Sequence, residues 1–426
     1  MTGFQSEFNT MMKRWDHEPE ALTSLRSSSM ERFNELGLPT KSWEEWQYAD
    51  FSKIEPAGYR MTTAKDLPSI PEGTLEKIGD AHRIVILNGH YQATMTDLPK
   101  EIKIQTLMDV FQSEPSALQN GSVSEANPFR ALNTAFMNSG LSVEIPKGII
   151  LTKPIHLLFH TADIDEAVMN HPRLLIQLGA NAEAVFIEHY TGGTSTPYFQ
   201  NCVTDVSLSD NSKMDHIRIQ EEGVSASHIA STHYSIGANG SATGTHFVSG
   251  SALYRQNISV SLNGQGAEAN VNGLCLSDQN QHLDHFVTID HKKPHCKSGQ
   301  LFKNILSDTS SGAFNGRIMV RPDSQKTDAQ QTNKNLLLSD SALMNSNPQL
   351  EIYADDVKCA HGSTSGQLDQ EAVFYLQSRG IKEEKAKLIL INGFAGEAIQ
   401  NVKNEATHTY LDNRLNEWLE NRDTNT

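Results

Sequence analysis

The stretch SIGANGSA, Ser235–Ala242, is one of four related segments in the middle of the chain. Each segment places an apolar residue before a corner of small and polar residues, and these apolar residues are Leu178, Leu208, Ile236 and Leu262. The intervals between them are 30, 28 and 26 residues. Repeats of this length that carry several short strands stack into solenoid coils. The spacing therefore predicts a parallel β-helix in which the four apolar side chains form one inward column.

A fifth segment, LSDTSSGA from Leu306, follows Leu262 after 44 residues and is predicted to be another copy after an insertion or a skipped unit. A leucine-rich repeat fits poorly, because the L-x-x-L-x-L spacing is missing. A β-sandwich is the simpler alternative, but it would use tight hairpin turns, and few of these occur in the sequence.

Helical patterns flank the repeats, so the predicted fold is mainly β, a right-handed parallel β-helix between helical ends. We expect a helical or mixed region over 1–140, the β-helix over 141–366 and a helical region over 367–426.

Three helices are predicted in the N-terminal region. An apolar stripe from Leu22 to Leu36 indicates a helix that stops at Gly37. Ser42 is predicted to cap a second helix in SWEEWQYADF, Ser42–Phe51, with Glu45 completing a capping box. ANPFRALNTAF, Ala126–Phe136, predicts a third.

The C-terminal region also has clear helix signals. Asp369 is predicted to cap a helix that ends at Gly380, and a second helical pattern follows in KEEKAKLILINGFAGEAIQNV. Leu411, Leu415 and Leu419 then form an apolar stripe that Trp418 completes. These helices are too small for a core of their own, so we expect them to dock on the solenoid, on a partner, or on both.

Composition excludes several classes of protein. With 38% hydrophobic and 20% charged residues the chain is typical of soluble proteins, and a formal charge of −16 argues against binding nucleic acid or an anionic membrane. The first twenty residues lack an apolar signal segment, and apolar runs are too short to span a bilayer. We therefore expect a cytoplasmic protein whose four cysteines are reduced.

The densest group of reactive side chains lies in PQLEIYADDVKCAHGSTSG, Pro348–Gly366. In one extended strand, Cys359 and His361 share a face, whereas Lys358 faces the other way and can pair with Asp356. An imidazole beside a thiol can lower the thiol pKa, and the two could also supply ligands to zinc, iron or an iron–sulfur cluster. Two ligands do not close a metal site, and a polar strand end is the alternative interpretation.

A second group, HLDHFVTIDHKKPHC, covers His282–Cys296. Strand alternation places His285 and His291 on one face, about 20 Å apart at the usual rise per residue, which is too far for one metal ion. Hydrogen-bonded histidines in or beside the core are the favoured interpretation. His295 and Cys296 remain minor candidates for metal ligands.

Motifs of several enzyme classes are absent from the sequence. There is no G-x-x-x-x-G-K-[ST] loop, G-x-S-x-G elbow, H-E-x-x-H pair or C-x-x-C pair. The chain is therefore not expected to be an ATPase or an enzyme of these hydrolytic classes, and without a C-x-x-C pair the usual iron–sulfur and zinc-ribbon spacings are absent.

One long segment resembles a known family. FNGRIMVRPDSQKTDAQQTNKNLLLSDSALMNSNPQLEIYADDVKCAHGSTSGQLDQEAVFYLQSRGI, Phe314–Ile381, resembles the core signature of the SufB/SufD family of iron–sulfur cluster assembly proteins. SGQLFKNIL, DHFVTIDH and, near the N-terminus, LPTKSWEEWQYADF extend the resemblance. Two features resemble the SufD branch of the family more than the SufB branch. The chain has His361-Gly362 in the core signature, and it has no cysteine before Cys202. RPDSQKTDAQQ, Arg321–Gln331, is more polar than usual for the family, which we interpret as a more hydrophilic turn.

The resemblance implies a right-handed parallel β-helix and a non-enzymatic scaffold subunit. It implies a heterodimer with SufB through the β-helix and an ATPase, SufC, bound at the C-terminal helices. A homodimer is an option when the chain is alone. The family's interface histidine corresponds to His361, and the adjacent thiol to Cys359. No cofactor is expected to bind stably to the isolated chain, whereas a transient iron–sulfur cluster is expected near the SufB interface. A β-helix carbohydrate-active enzyme and a structural solenoid are the alternatives.

Overall fold

The computed structural model describes residues 3–52, 54, 58–68, 75, 77–113, 127–137 and 139–423. The helices are α1 Gly3–Arg14, α2 Glu20–Leu36, α3 Leu107–Ser113, α4 Pro128–Phe136, α5 Gln370–Ser378, α6 Glu383–Ile399 and α7 Glu405–Asp423. The strands are β1 Arg60–Met61, β2 His82–Leu87, β3 His90–Tyr91, β4 Lys103–Thr106, β5 Ser139–Ile145, β6 Ile155–Thr161, β7 Val168–Asn170, β8 Pro172–Leu178, β9 Glu183–Gly192, β10 Tyr198–Leu208, β11 Lys213–Gln220, β12 Ala226–Ile236, β13 Ser241–Val248, β14 Leu253–Leu262, β15 Glu268–Ser277, β16 His282–His291, β17 Lys297–Leu306, β18 Ser311–Val320, β19 Asp328–Leu337, β20 Leu343–Ile352 and β21 Lys358–Gly366.

The protein is mainly β, and its core is a β-solenoid. From β8 to β21, successive strands alternate between two sheets that face each other across the core. Sheet A has the order β20-β18-β16-β14-β12-β10-β8-β5-β4, and sheet B has the order β21-β19-β17-β15-β13-β11-β9-β6-β2-β3. The pairs from β10–β12 and β11–β13 to the last rung are all parallel. Because each strand pairs with the strand two places on, one turn of the coil contains one strand of each sheet.

The predicted inward column is confirmed. Leu178, Leu208, Ile236 and Leu262 are register partners in consecutive strands of sheet A, and all four are buried in one core cluster. The predicted fifth copy is wrong, because Leu306 lies in sheet B. Strands of both sheets end at polar corners, so the pattern of an apolar residue before a corner does not identify the sheet.

The corners that follow the column have a repeated backbone conformation. Asn181, Asn211 and Asn239 have φ values of 60°, 58° and 53°. Asparagine tolerates this left-handed region better than most residues with a side chain. The backbone N–H of Asn181 donates to Asp210 O at 3.0 Å, and that of Asn211 donates to Ala238 O at 2.8 Å. Each corner is therefore hydrogen-bonded to the corner of the next turn.

Two of the three predicted N-terminal helices are confirmed. α2 ends at Leu36 with Gly37 as its C-cap, and Asn127 caps α4 through its side-chain oxygen, although Ala126 lies outside the described residues. The helix predicted after Ser42 is wrong, since Glu44–Trp46 form a single 3₁₀ turn without a side-chain cap. The Trp46 ring instead packs into an aromatic cluster with its neighbours, which holds this segment as a turn on the solenoid.

The C-terminal helices pack on the outer face of sheet B. Asp369 caps α5 as predicted, with Oδ1 accepting from the backbone N–H groups of Glu371 and Ala372. The stripe of α7, from Leu411 to Leu419, is buried with α6 against outward side chains of sheet B. The C-terminal helices were expected to dock on the solenoid, on a partner, or on both. The solenoid covers the stripe of α7. No helix among the described residues has the length and apolar character needed to cross a membrane.

Candidate functional site

The solenoid ends in an open rung formed by β20 and β21. Each is the last strand of its sheet, so in the described part of the chain one edge of each strand has no strand neighbour. Leu343, Ile352 and Tyr353 are exposed on or beside β20, and most of β21 is exposed. Free strand edges carry unpaired N–H and C=O groups that can pair with another chain.

The structure corrects the prediction of one continuous strand through this segment. β20 ends at Ile352 and β21 begins at Lys358, so the residues between them form a corner of the coil. Asp356 lies in this corner, where its carbonyl accepts from the backbone N–H of Lys326 at 2.7 Å. Its carboxylate pairs with the Lys326 ammonium group, and not with Lys358 as predicted.

Cys359 and His361 both lie on β21, two positions apart, and therefore share a face as predicted. Cys359 is half-buried and packs against the apolar cluster that contains Val320 and Ala329. Burial and the nearby Asp328 carboxylate raise the pKa of the Cys359 thiol. His361 is exposed, and none of the hydrogen bonds found among the described residues involves its ring.

Amide side chains line the interior beneath this rung. Asn304 Nδ2 donates to Asn335 Oδ1 at 2.7 Å, and Asn335 Nδ2 donates to Asn333 Oδ1 at 2.8 Å. The network reaches the last rung, where Ser346 Oγ donates to Asn333 Oδ1 and Ser363 Oγ donates to Ser346 Oγ, both at 2.8 Å. Polar side chains thus connect the two sheets at the open end.

Deeper in the solenoid, Glu188 is the centre of a closed polar cluster. Its carboxylate pairs with Arg218, accepts from Tyr190 and Thr204, and lies 2.9 Å from His216 Nε2. Burial alone would raise the pKa of Glu188, but Arg218 and His216 hold it below its usual range. A buried carboxylate with this many partners is a structural charge, fixed in the ionised state.

The His282–Cys296 segment contributes to the core, as the favoured interpretation predicted. His285 is buried with its Nδ1 3.6 Å from Cys275 Sγ, and burial lowers the pKa of His285 to about 3. His291 continues the inward column after Leu262, and its Nε2 lies 2.8 Å from Ser298 Oγ. The Cys296 thiol donates to a backbone carbonyl. These partners leave His285 and His291 in structural roles.

Within the described ranges, no group of three or more His, Cys, Asp or Glu side chains is arranged to hold a metal ion. Cys359 and His361 provide two donors at most, whereas tetrahedral sites take four ligands. A metal at this rung would require ligands from a second chain.

The C-terminal helices present a separate surface. On α6, Glu397 pairs with Lys303 and Lys334 of sheet B, the second at 3.1 Å. α5 packs on α6 and exposes Phe374 and Tyr375 by 70% and 57%. Two adjacent exposed aromatic residues are characteristic of a surface that a partner covers.

Two family domains match nearly the whole chain. The SufBD protein N-terminal region matches residues 4–157, and the SufBD core domain of the SUF system for iron–sulfur cluster assembly matches residues 159–394. The chain belongs to the SufB/SufD family. Iron–sulfur cluster assembly protein SufD of Escherichia coli strain K12 is 30% identical over 426 residues, which cover 98% of this chain and 99% of the relative. The chain is thus a SufD-type member of the family.

Two further relatives show the breadth of the family. An iron–sulfur cluster assembly SufBD family protein of Synechocystis is 33% identical over 402 residues, which cover 90% of this chain and 88% of the relative. Protein ABCI7, chloroplastic, of Arabidopsis thaliana is 26% identical over 403 residues, with 90% and 83% coverage. SufB/SufD membership assigns this chain to iron–sulfur cluster assembly.

Sequence reasoning missed two features of the SufD-type interior. Glu188 and Arg218 are 30 residues apart, which is the interval between Leu178 and Leu208, so applying the repeat to polar residues would have paired them. The sequence predicts a hydrophilic turn over Arg321–Gln331, yet β19 begins within this stretch at Asp328, and Gln331 is a buried residue of β19. Strand alternation counted from Ala329 would have placed Gln331 inward.

Proposed function

We propose that this chain is a non-catalytic scaffold subunit that pairs with SufB and binds the ATPase SufC. The observation that carries the proposal is the open rung, where Cys359 and His361 lie on a free strand edge beside exposed apolar side chains. The iron–sulfur cluster is the cargo of the assembled complex.

SufB pairing is proposed to occur at the edges of β20 and β21. A partner strand there would satisfy backbone groups that are free in the isolated chain. It would also bring further ligands to His361, whose ring would act as a ligand or a proton acceptor. When SufB is absent, the same edges are expected to pair a second copy of the chain, which mass measurements in solution would detect.

The test of the site is His361→Ala in the co-purified three-subunit complex, followed by anaerobic cluster reconstitution. We expect an unchanged complex yield and a cluster yield reduced about tenfold or more, in the range found when groups that support metal binding are lost. His17→Ala is the matched control, because His17 is exposed in the N-terminal region. A normal cluster yield from His361→Ala at equal complex yield would reduce this segment to a polar strand end.

SufC binding is proposed to use α5. Truncation is a poor test, because α6 and α7 bury core residues of sheet B. Replacing both Phe374 and Tyr375 by alanine removes the exposed aromatic surface and leaves that core intact. We expect loss of SufC in a pull-down experiment while SufB is retained. Ile150→Ala is the control, since Ile150 is an equally exposed apolar residue elsewhere. Retention of SufC by the double variant would contradict the assignment to α5.

A further inference from the structure

A buried amide with an unused acceptor lies directly beneath His361. Gln331 of β19 is the register partner of His361 in β21 and is 1% exposed. Its Nε2 donates to Gln300 Oε1, one strand deeper, at 3.1 Å. Its Oε1 is buried and has no hydrogen-bond partner, and Gln300 Nε2 in the rung below also has none. A buried carbonyl without a donor costs about 1–3 kcal/mol. Other buried side-chain atoms also lack a partner, but this one lies directly below the open rung.

The amide is held in place from two sides. Gln300 fixes its nitrogen, and Gly316 of β18 lies across the interior. A Cβ atom at Gly316 would lie 1.6 Å from Gln331 Nε2, so the amide takes its present position beside a glycine and would have to move beside a larger residue. Gln331 is therefore in a fitted position, and its free oxygen is the part of the amide that remains available.

Few described side chains of the last rung can supply a proton to this oxygen. The hydroxyl groups of Ser346 and Ser363 are already engaged with each other and with Asn333. His361 has no hydrogen bond from its ring and lies on the adjacent strand, at the usual separation of about 4.8 Å. An imidazole N–H is a good donor to an amide oxygen.

We propose that Gln331 is the positioning residue of His361. Gln331 Oε1 accepts the hydrogen of one ring nitrogen when a partner chain covers the open rung, and the other nitrogen then faces the interface. This bond selects one tautomer and one ring orientation, as outer partners of metal-binding histidines do. The inference rests on the role proposed above for His361, because a histidine with no task would need no such positioning.

The experiment uses the SufB–SufC complex of this chain with the histidine rings labelled with ¹⁵N. Gln331→Met keeps the length of the side chain and removes the acceptor, whereas Gln331→Glu restores it. Gln256→Met is the matched control, since Gln256 is an equally buried amide near mid-solenoid that donates to Thr232. The ring ¹⁵N resonances of His361 report the tautomer, and cluster yield is measured at equal complex yield.

We expect one tautomer of His361 in the wild type and in the Gln256→Met complex. Gln331→Met should give a mixture of tautomers and about tenfold less cluster, and Gln331→Glu should restore the single tautomer. If Gln331→Met folds poorly, Gln331→Glu still decides, because a carboxylate in contact with the ring must shift its nitrogen resonances. Unchanged resonances in the Gln331 variants would overturn the inference.

The two proposals fail in different ways. A normal cluster yield from His361→Ala removes the task proposed for His361 and reduces the segment to a polar strand end. A low yield from His361→Ala combined with an unchanged tautomer in Gln331→Met overturns the positioning role alone.

Discussion

The cluster around Glu188 and the open rung around His361 are built from the same kind of turn, yet their polar groups differ in one respect. Around Glu188, Arg218, His216 and the neighbouring hydroxyl groups satisfy a fully buried carboxylate. At the open rung, Gln331 Oε1 lacks a donor and the His361 ring lacks a partner within the described chain.

The difference separates a structural network from an incomplete one. A buried charge is tolerated only when its partners are permanent, so the partners of the Glu188 carboxylate have to be present in the isolated chain. The His361 ring at the exposed strand edge costs less, because water can hydrogen-bond to it until a second chain binds. The buried Gln331 Oε1 keeps its cost until a donor arrives. The comparison predicts that changes in the closed cluster alter folding, whereas changes in the open rung alter assembly.

The largest effect is expected from Glu188→Gln. The substitution keeps the shape of the side chain but leaves the Arg218 guanidinium buried without a counter-charge. We expect the free energy of unfolding in urea to fall by about 3–5 kcal/mol. Glu183→Gln on the same strand is the control, because its pair with Lys213 is solvent-exposed and should contribute under about 1 kcal/mol. Equal losses from the two variants would show that the closed cluster is not a structural network.

The next effect concerns the free edge of β21. The backbone N–H of Lys358 donates to the carbonyl of Thr327, the residue just before β19. Backbone N–H groups point alternately to the two edges of a strand, and Ser363 is an odd number of positions from Lys358, so the N–H of Ser363 faces the free edge. Ser363→Pro removes this donor and places a ring at the edge. We expect about hundredfold weaker binding of SufB in a titration, with the unfolding of the isolated chain little changed.

Ser363→Ala is the control for the proline, because it removes the hydroxyl group and keeps the backbone donor. Normal SufB affinity in Ser363→Pro would place the interface elsewhere on the solenoid, and the comparison between closed and open regions would lose its functional meaning.

A smaller effect should appear in the pH dependence of stability. Burial lowers the pKa of His291 to about 4, below the value of about 6.5 in the unfolded chain. Between these values the unfolded state binds the extra proton, so stability is present above pH 6.5 and is lost as the pH falls towards 4.

His291→Leu tests this linkage and introduces the residue type of its column neighbour Leu262. Between pH 7.5 and 5.5 the variant should lose about 1 kcal/mol less stability than the wild type in urea unfolding. His17→Leu, at an exposed position, is the control. An unchanged pH profile in His291→Leu would mean that His291 is already charged in the folded state.

Local periodicity was enough to predict the solenoid, because an apolar column repeats at nearly constant spacing and strand alternation fixes its inward face. It did not predict the sheet of Leu306, since strands of both sheets end in similar corners. The capping pattern at Ser42 failed because the packing of Trp46 outweighed a local helix signal. Where the local helix signal covered only a few residues, tertiary packing determined the conformation of the segment.

The candidate site was predicted in part for the same reason. Cys359 and His361 were placed on one face because that needs only strand alternation. The corner between Ile352 and Lys358 was missed, since its polar residues resemble those of an exposed strand. Gln331 could not be linked to His361 without the register between β19 and β21, and that register depends on contacts 30 residues apart.

The smallest effect is expected from Cys359→Ala. The thiol is half-buried against Val320 and Ala329, and burial raises its pKa, so little thiolate is available at neutral pH. Its main contribution is then packing at a partly exposed strand, where loss of one sulfur atom should cost about 1 kcal/mol or less.

Cluster yield from the Cys359→Ala complex should stay near the wild-type value and well above that of His361→Ala. Reconstitution of both variants in parallel, at equal complex yield, provides the measurement. A loss from Cys359→Ala as large as that from His361→Ala would mean that SufB changes the surroundings of the thiol enough to ionise it, and Cys359 would then belong with His361 among the groups that the second chain completes.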